Sequence, residues 1–270
     1  MNRPDIHQYN DPVAFLKDWL AFQRGAQPKF SQRALAKSAG LTPAHLPLVI
    51  KGARSLTQKA LEKLIPLMDL SPAEANFFRS LRTITKSRDT KARREAFQTI
   101  QNFATYRRLN PKEFEVYRYL SRWFYVAIRE MSGMSHFQLD PEWIQKRLVY
   151  PVPLIEIKKA VQFLVDHGYI EKTQPSSKLI ECDAEVYRVA MAEYHKSMLD
   201  LVAESIQRVD REHRHILGFS IGMDQKTFHE VRTLIEETMA KIYDLTQKNP
   251  ARDSVYYVTL AAIPMARESA

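Results

Sequence analysis

The chain has 270 residues, 45% of them hydrophobic, enough to fill real cores in about two domains at roughly 150 residues each. Its formal net charge of +9 is uneven: residues 1–109 hold 19 Lys and Arg against 8 Asp and Glu, whereas the remainder holds 21 against 23. A single cysteine, Cys182, excludes an internal disulfide and a cysteine-built metal site, and no run of about 18 apolar residues could span a membrane.

The opening MNRPDIHQYND has no apolar signal core, so a cytoplasmic protein is expected. Asp11 to Arg24 reads as an amphipathic helix with Phe15, Leu16, Trp19, Leu20 and Phe22 available to cover a pair of shorter helices after it. Ser31 is expected to cap a short helix with Leu35, Ala36 and Ala39 inward, closed by Gly40. Thr42 is expected to cap a second helix with Pro43 at its first position and Leu46, Val49 and Ile50 inward. Pro47 conflicts with that second helix, because it lacks the amide that should bond the Pro43 carbonyl; the helix is bent or starts late.

Helix, tight turn, helix is the arrangement that reads DNA in many regulators. Gln32, Leu35-Ala36, Gly40 and Gly52-Ala53-Arg54 resemble the Cro/repressor class of helix-turn-helix without a gap in spacing. The later runs YHKSMLDLVAESIQRV, DQKTFHEVRTLIEETMAKI and VYYVTLAAIPMAR resemble an uncharacterised bacterial family of two-part regulators. The resemblance implies a DNA-binding head joined to a larger domain of unassigned function. The residues expected at duplex DNA are Gln32, Arg33, Lys37, Thr42, His45, Lys51 and Arg54. The outward positions of the second helix, Pro43, Ala44, His45, Pro47 and Leu48, are poor in donors, and the alternative expectation is that Pro43, Ala44, Pro47 and Leu48 dock a protein partner.

Leu61, Leu64, Ile65 and Met68 continue the helical period, and Ser71-Pro72 with Glu74 opens a fifth helix, completing a head over residues 1–81. Residues 82–109 form a basic connector, with Arg82, Lys86, Arg88, Lys91, Arg93, Arg94, Arg107 and Arg108 either solvated or tracking phosphates. Residues 110–182 read as a winged-helix-like unit. Its expected elements are a long helix capped by Asn110-Pro111 and reaching Met131, two further helices, the first capped by Asp140-Pro141, and a hairpin of Tyr169–Lys172 and Lys178–Glu181 around Gln174–Ser177. The outward positions of the unit's third helix, Glu156, Lys158, Lys159, Gln162 and Asp166, sum to no charge, which disfavours groove insertion.

Residues 183–270 read as a long helix over 184–209, a strand over 215–223, a helix over 225–248 and a strand over 255–263. The expected fold class is therefore mainly α, with a small C-terminal α/β unit. Tyr117, Tyr119, Trp123, Phe124 and Tyr125 look like more apolar surface than one small core would use, so a homodimer through residues after about 110 is expected. His195, His213, His215 and His229 make no ligand spacing, seven glycines leave no phosphate-cradling loop, and no Ser or Cys nucleophile motif appears. No enzyme activity, metal or cofactor is expected.

Overall fold

The computed structural model describes residues 2–171, 174–248 and 251–266, with the backbone alone at Thr90. The chain is mainly helical, and the only sheet among the described residues is a two-stranded one. Two compact units divide it: residues 1–122 with 179–196, and residues 123–178 with 197–270.

In the first unit α1 is Pro12–Ala26, α2 Gln32–Ser38, α3 His45–Ile50, α4 Gln58–Leu64 and α5 Pro72–Lys86. Side-chain caps set most of the starts. Asp11 accepts from the amides of Val13 and Ala14 at 3.1 and 3.2 Å, and Thr57 accepts from Ala60 at 3.2 Å. Ser71 and Glu74 form a reciprocal capping box at the head of α5. Phe15, Leu16, Trp19 and Leu20 of α1 and Phe77, Phe78 and Leu81 of α5 are buried, and the Phe15 and Phe78 rings meet edge to face at 5.2 Å.

The basic stretch after residue 82 is folded. It forms α6, Thr90–Gln101, and α7, Ala104–Leu109, with Phe97, Ile100 and Tyr106 buried. Several of its arginines are engaged internally: Arg82 donates to the Leu56 carbonyl at 3.2 Å, and Arg93 to the Ile84 carbonyl at 2.8 Å and to Glu185 at 3.3 Å. Arg94 pairs with Glu193 at 3.4 Å.

The long helix expected from Asn110 to Met131 is two helices, α8, Pro111–Leu120, and α9, Trp123–Met131. The break at Ser121 and Arg122 contains no glycine or proline, and apolar residues run through it. It is also where the first unit gives way to the second. Asn110 precedes α8 but makes no side-chain cap there; its side-chain amide instead donates to the carbonyls of His7 and Tyr106 at 2.8 and 3.0 Å, the second at the end of α7. Tyr117, Tyr119, Phe124 and Tyr125 are buried, so these four rings are core and not surplus surface, and Trp123 is half-buried.

The second unit contains α9, α10, Pro141–Arg147, and α11, Leu154–Asp166, followed by the hairpin β1, Ile170–Glu171, and β2, Gln174–Pro175. Asp140 caps α10 as its sequence indicates, accepting from the Trp143 amide at 2.6 Å. The hairpin is tighter than expected. Ile170 pairs with Pro175 and Glu171 with Gln174, so Gln174 and Pro175 lie in a strand and not in the turn, and residues 178–181 form no strand. Pro175 is tolerated because the neighbouring Ser176 amide donates to the Tyr169 carbonyl at 3.0 Å. Lys172, expected in the first strand, lies outside the described residues.

Helix α12 is Ala184–Arg208 and α13 is Gln225–Lys248, close to the spans the periodicity indicates. Residues of α12 through Lys196 belong to the first unit and the rest to the second. The strands expected at 215–223 and 255–263 are not formed: neither segment takes part in a sheet. Among the described residues no side chain beyond Met198 is buried, so neither segment has the covered apolar face that a strand needs.

Candidate nucleic-acid interface

Two short helices and the turn between them carry the residues singled out in the sequence. Ser31 starts α2 by accepting from the Ala34 amide at 3.1 Å, and Leu35 and Ala36 are buried. The helix closes in a paired reversal: the Leu41 amide donates to the Ala36 carbonyl at 2.8 Å and the Gly40 amide to the Lys37 carbonyl at 2.9 Å. Gly40 makes this possible with a φ of 60°, which an L side chain rarely adopts. Its carbonyl accepts from Lys63 Nζ of α4 at 2.9 Å, so a third helix holds the turn. Lys63 was not singled out from the sequence, where a lysine 23 positions away carries no sign of the contact.

Helix α3 departs from its expected start. Thr42 makes no side-chain cap; its carbonyl accepts from the His45 amide at 2.9 Å in a preceding turn, and the helix proper begins at His45. Pro47 therefore sits third in the helix, where an amide has no intrahelical acceptor and its loss costs little. The Leu48 amide then opens the ladder, donating to Ala44 at 3.1 Å. Leu46 and Val49 are buried, and Gly52, with a φ of 73°, ends the element.

The candidate residues differ in exposure. Arg33, Lys37, Thr42, Lys51 and Arg54 are exposed, Gln32 is half-buried, and His45 is buried at 8% exposure. Arg33 and Lys37 are four apart and share one face of α2. None of Arg33, Lys37, Lys51 and Arg54 pairs with a carboxylate among the described residues. His45 turns into the head, with Nδ1 at 3.3 Å from the Arg54 guanidinium, which donates; Nε2 is buried without a partner. Burial, then the Arg54 charge, holds His45 below its ordinary value, so its ring is neutral at pH 7. On the outward side of α3, Pro43 and Ala44 are exposed and Pro47 and Leu48 are half-buried.

Among the described residues, no group of three or more His, Cys, Asp or Glu could hold a metal ion, and no helix is long and apolar enough to cross a membrane. No curated protein and no solved structure matches the chain. Residues 100–265 match the family described as Domain of unknown function (DUF4423), a match that leaves residues 31–54 outside it. The chain belongs to that family.

Proposed function

We propose that this protein is a bacterial, cytoplasmic, DNA-binding transcriptional regulator. It binds duplex DNA as a homodimer through a Cro/repressor-type helix-turn-helix formed by α2 and α3. The observation that carries the reading is the set of exposed cations Arg33, Lys37, Lys51 and Arg54, none paired with a carboxylate among the described residues, around a helix pair whose turn is fixed by Gly40. Arginines of α6 contrast with them, because Arg93 and Arg94 are held by Glu185 and Glu193. Unpaired cations on a rigid scaffold are what phosphates select, whereas paired ones are already neutralised. Gln32 and Thr42 supply neutral hydrogen-bonding groups beside them, and His45 acts by holding Arg54 and not by meeting a base. The three helices α9–α11 with their hairpin serve as a structural winged-helix-like unit.

A second reading uses the same helix pair for a protein partner, through Pro43, Ala44, Pro47 and Leu48. The absence of hydrogen-bonding groups on this outward face of α3 favours it, since no bidentate reader of guanine or adenine is present there.

A mixed pool of short duplexes separates the two. Under the regulator reading the protein shifts the pool, enriches one sequence, and loses affinity with salt at a logarithmic slope of roughly −7, for about four phosphates at each of two heads. Charge reversal at Arg33, Lys37, Lys51 or Arg54 weakens binding to every duplex alike. Binding that ignores salt, or no shift at all, overturns it.

A further inference from the structure

Residues 199–266 contain a complete 24-residue helix, α13, and yet no buried side chain among those described. An amphipathic helix in water takes most of its stability from packing its apolar face. In α13 that stripe, Phe228, Val231, Ile235 and Ile242, is half-buried at best, and Leu234 and Leu245 are 60% and 68% exposed. The segments on either side are more exposed still. In 215–223 the alternate residues Leu217, Phe219, Ile221 and Met223 are large and apolar, 83%, 87%, 66% and 42% exposed, and Gly218, Ser220 and Gly222 lie between them. This is the period of a strand with one apolar face. Tyr256, Val258, Leu260 and Ile263 continue the surface in 255–263.

The region is fastened at two points. Arg214 donates to the carbonyls of Ser205 and Val209 at 2.8 Å, closing α12, and the Ser135 amide donates to the Arg252 carbonyl at 3.3 Å. Ser220 Oγ lies 3.5 Å from Met265 Sδ, just past the second segment, so the two strand-patterned segments come near one another without joining in a sheet.

We propose that residues 215–263 are the self-association surface, and that the segments 215–223 and 255–263 of two copies pair into one four-stranded sheet covered by two copies of α13. Three features select a second copy as the occupant. First, residues 215–223 and 255–263 contain no Asp, Glu, Lys or Arg. The four Lys and Arg of α13 are matched by four Asp and Glu, some paired on the helix itself, as Lys226 with Glu230 at 3.9 Å and Arg232 with Glu236 at 3.4 Å. Such a surface offers nothing to phosphates, lipid headgroups or a strongly charged protein, and a neutral apolar patch is complementary to itself.

Second, one chain supplies two strands, too few for a stable sheet, whereas two chains supply four strands and two covering helices. Third, the exposed apolar side chains of 216–265 amount to on the order of 1,000 Å² per chain at the usual side-chain areas. Doubled, this reaches the scale of obligate homodimers, about 2,000 Å² or more. The proposal gives the homodimer of the preceding reading its interface and does not require that it bind DNA.

Light scattering on the full chain at about 10 μM, with hydrogen exchange on the same sample, tests the interface. The expected mass is twice 31.4 kDa, with slow exchange in 215–223 and 255–263. Phe219→Asp and Ile221→Asp are each expected to give the single-chain mass and fast exchange in both segments, with the fluorescence of the buried Trp19 unchanged. A single-chain mass for the parent protein overturns the proposal, whether its segments exchange fast or slowly, since slow exchange there would mean pairing within one chain. A dimer with fast exchange in both segments overturns it too, and so does a dimer that survives both substitutions. If Phe219→Asp aggregates, exchange on the parent protein decides alone. Duplex binding is measured separately: a monomer that still shifts DNA overturns the interface and the dimer but leaves DNA binding by the head standing, and a protected dimer that shifts none overturns the regulator reading only.

Discussion

The Arg54 guanidinium donates to Nδ1 of His45 across 3.3 Å, so a buried neutral ring at the start of α3 positions a charged side chain just past its end. The contact links the stability of the head to pH. Burial, then Arg54, lowers His45 from its ordinary 6.5, so the unfolded chain takes up a proton that the folded one resists. The stabilisation is full above pH 6.5 and declines as pH falls below it. Denaturant midpoints measured from pH 7.5 down to about 5 are expected to fall in the parent protein and to stay flatter in His45→Gln. An equal fall in both would show that His45 is not the group responsible. Glu62, held down first by its hydrogen bond from Arg79, adds a separate loss only as pH drops through 4.5 and below.

Pro47→Ser restores an amide at the third position of α3, where it has no helical acceptor. Stability is expected to change by less than about 1 kcal/mol, far from the ~3 kcal/mol that relieving a proline in a helix interior would return. Duplex affinity is expected to hold or improve. Calorimetric melting and a salt titration check the two parts, and a gain near 3 kcal/mol would mean that α3 is strained after all.

Arg93→Met removes a part-buried arginine that donates to both Ile84 and Glu185. A loss of about 1–3 kcal/mol in unfolding free energy is expected, with duplex affinity unchanged. A large drop in affinity at constant stability would instead make α6 a phosphate-tracking element.

Cys182 is half-buried, and burial, followed by Glu113 and Asp183, pushes its thiol from an ordinary 9.0 up to about 11. At pH 8 its alkylation is expected to run about 100-fold slower than that of an exposed cysteine, and to accelerate up to pH 10. Rapid labelling at pH 7 would contradict the burial.

Much of the helical organisation was legible because it is written locally. Ser31, Ser71 and Asp140 each cap the helix that their sequence context indicates, since a cap needs only a side-chain acceptor and an amide three residues on. What was misread depended on distant contacts. The α8–α9 break has no breaker residue, and the fate of Arg93 and Arg94 depends on glutamates more than ninety positions away. Residues 215–223 and 255–263 carry a strand pattern that this single chain does not complete. In the candidate interface, Arg33 and Lys37 are exposed as their phase on α2 indicates and Lys51 and Arg54 lie past the end of α3, whereas His45, expected to face outward, turns inward in a helix that starts late.

That late start also decides what α3 offers to an anion. A helix usually meets phosphate with the free amides of its first turn. Here the His45 amide is committed to Thr42, Pro47 has none, Leu48 is committed to Ala44, and Leu46 is wholly buried. The amino end of α3 is thus already spent as a backbone anion site, and a phosphate approaching it would have to be held by side-chain cations instead.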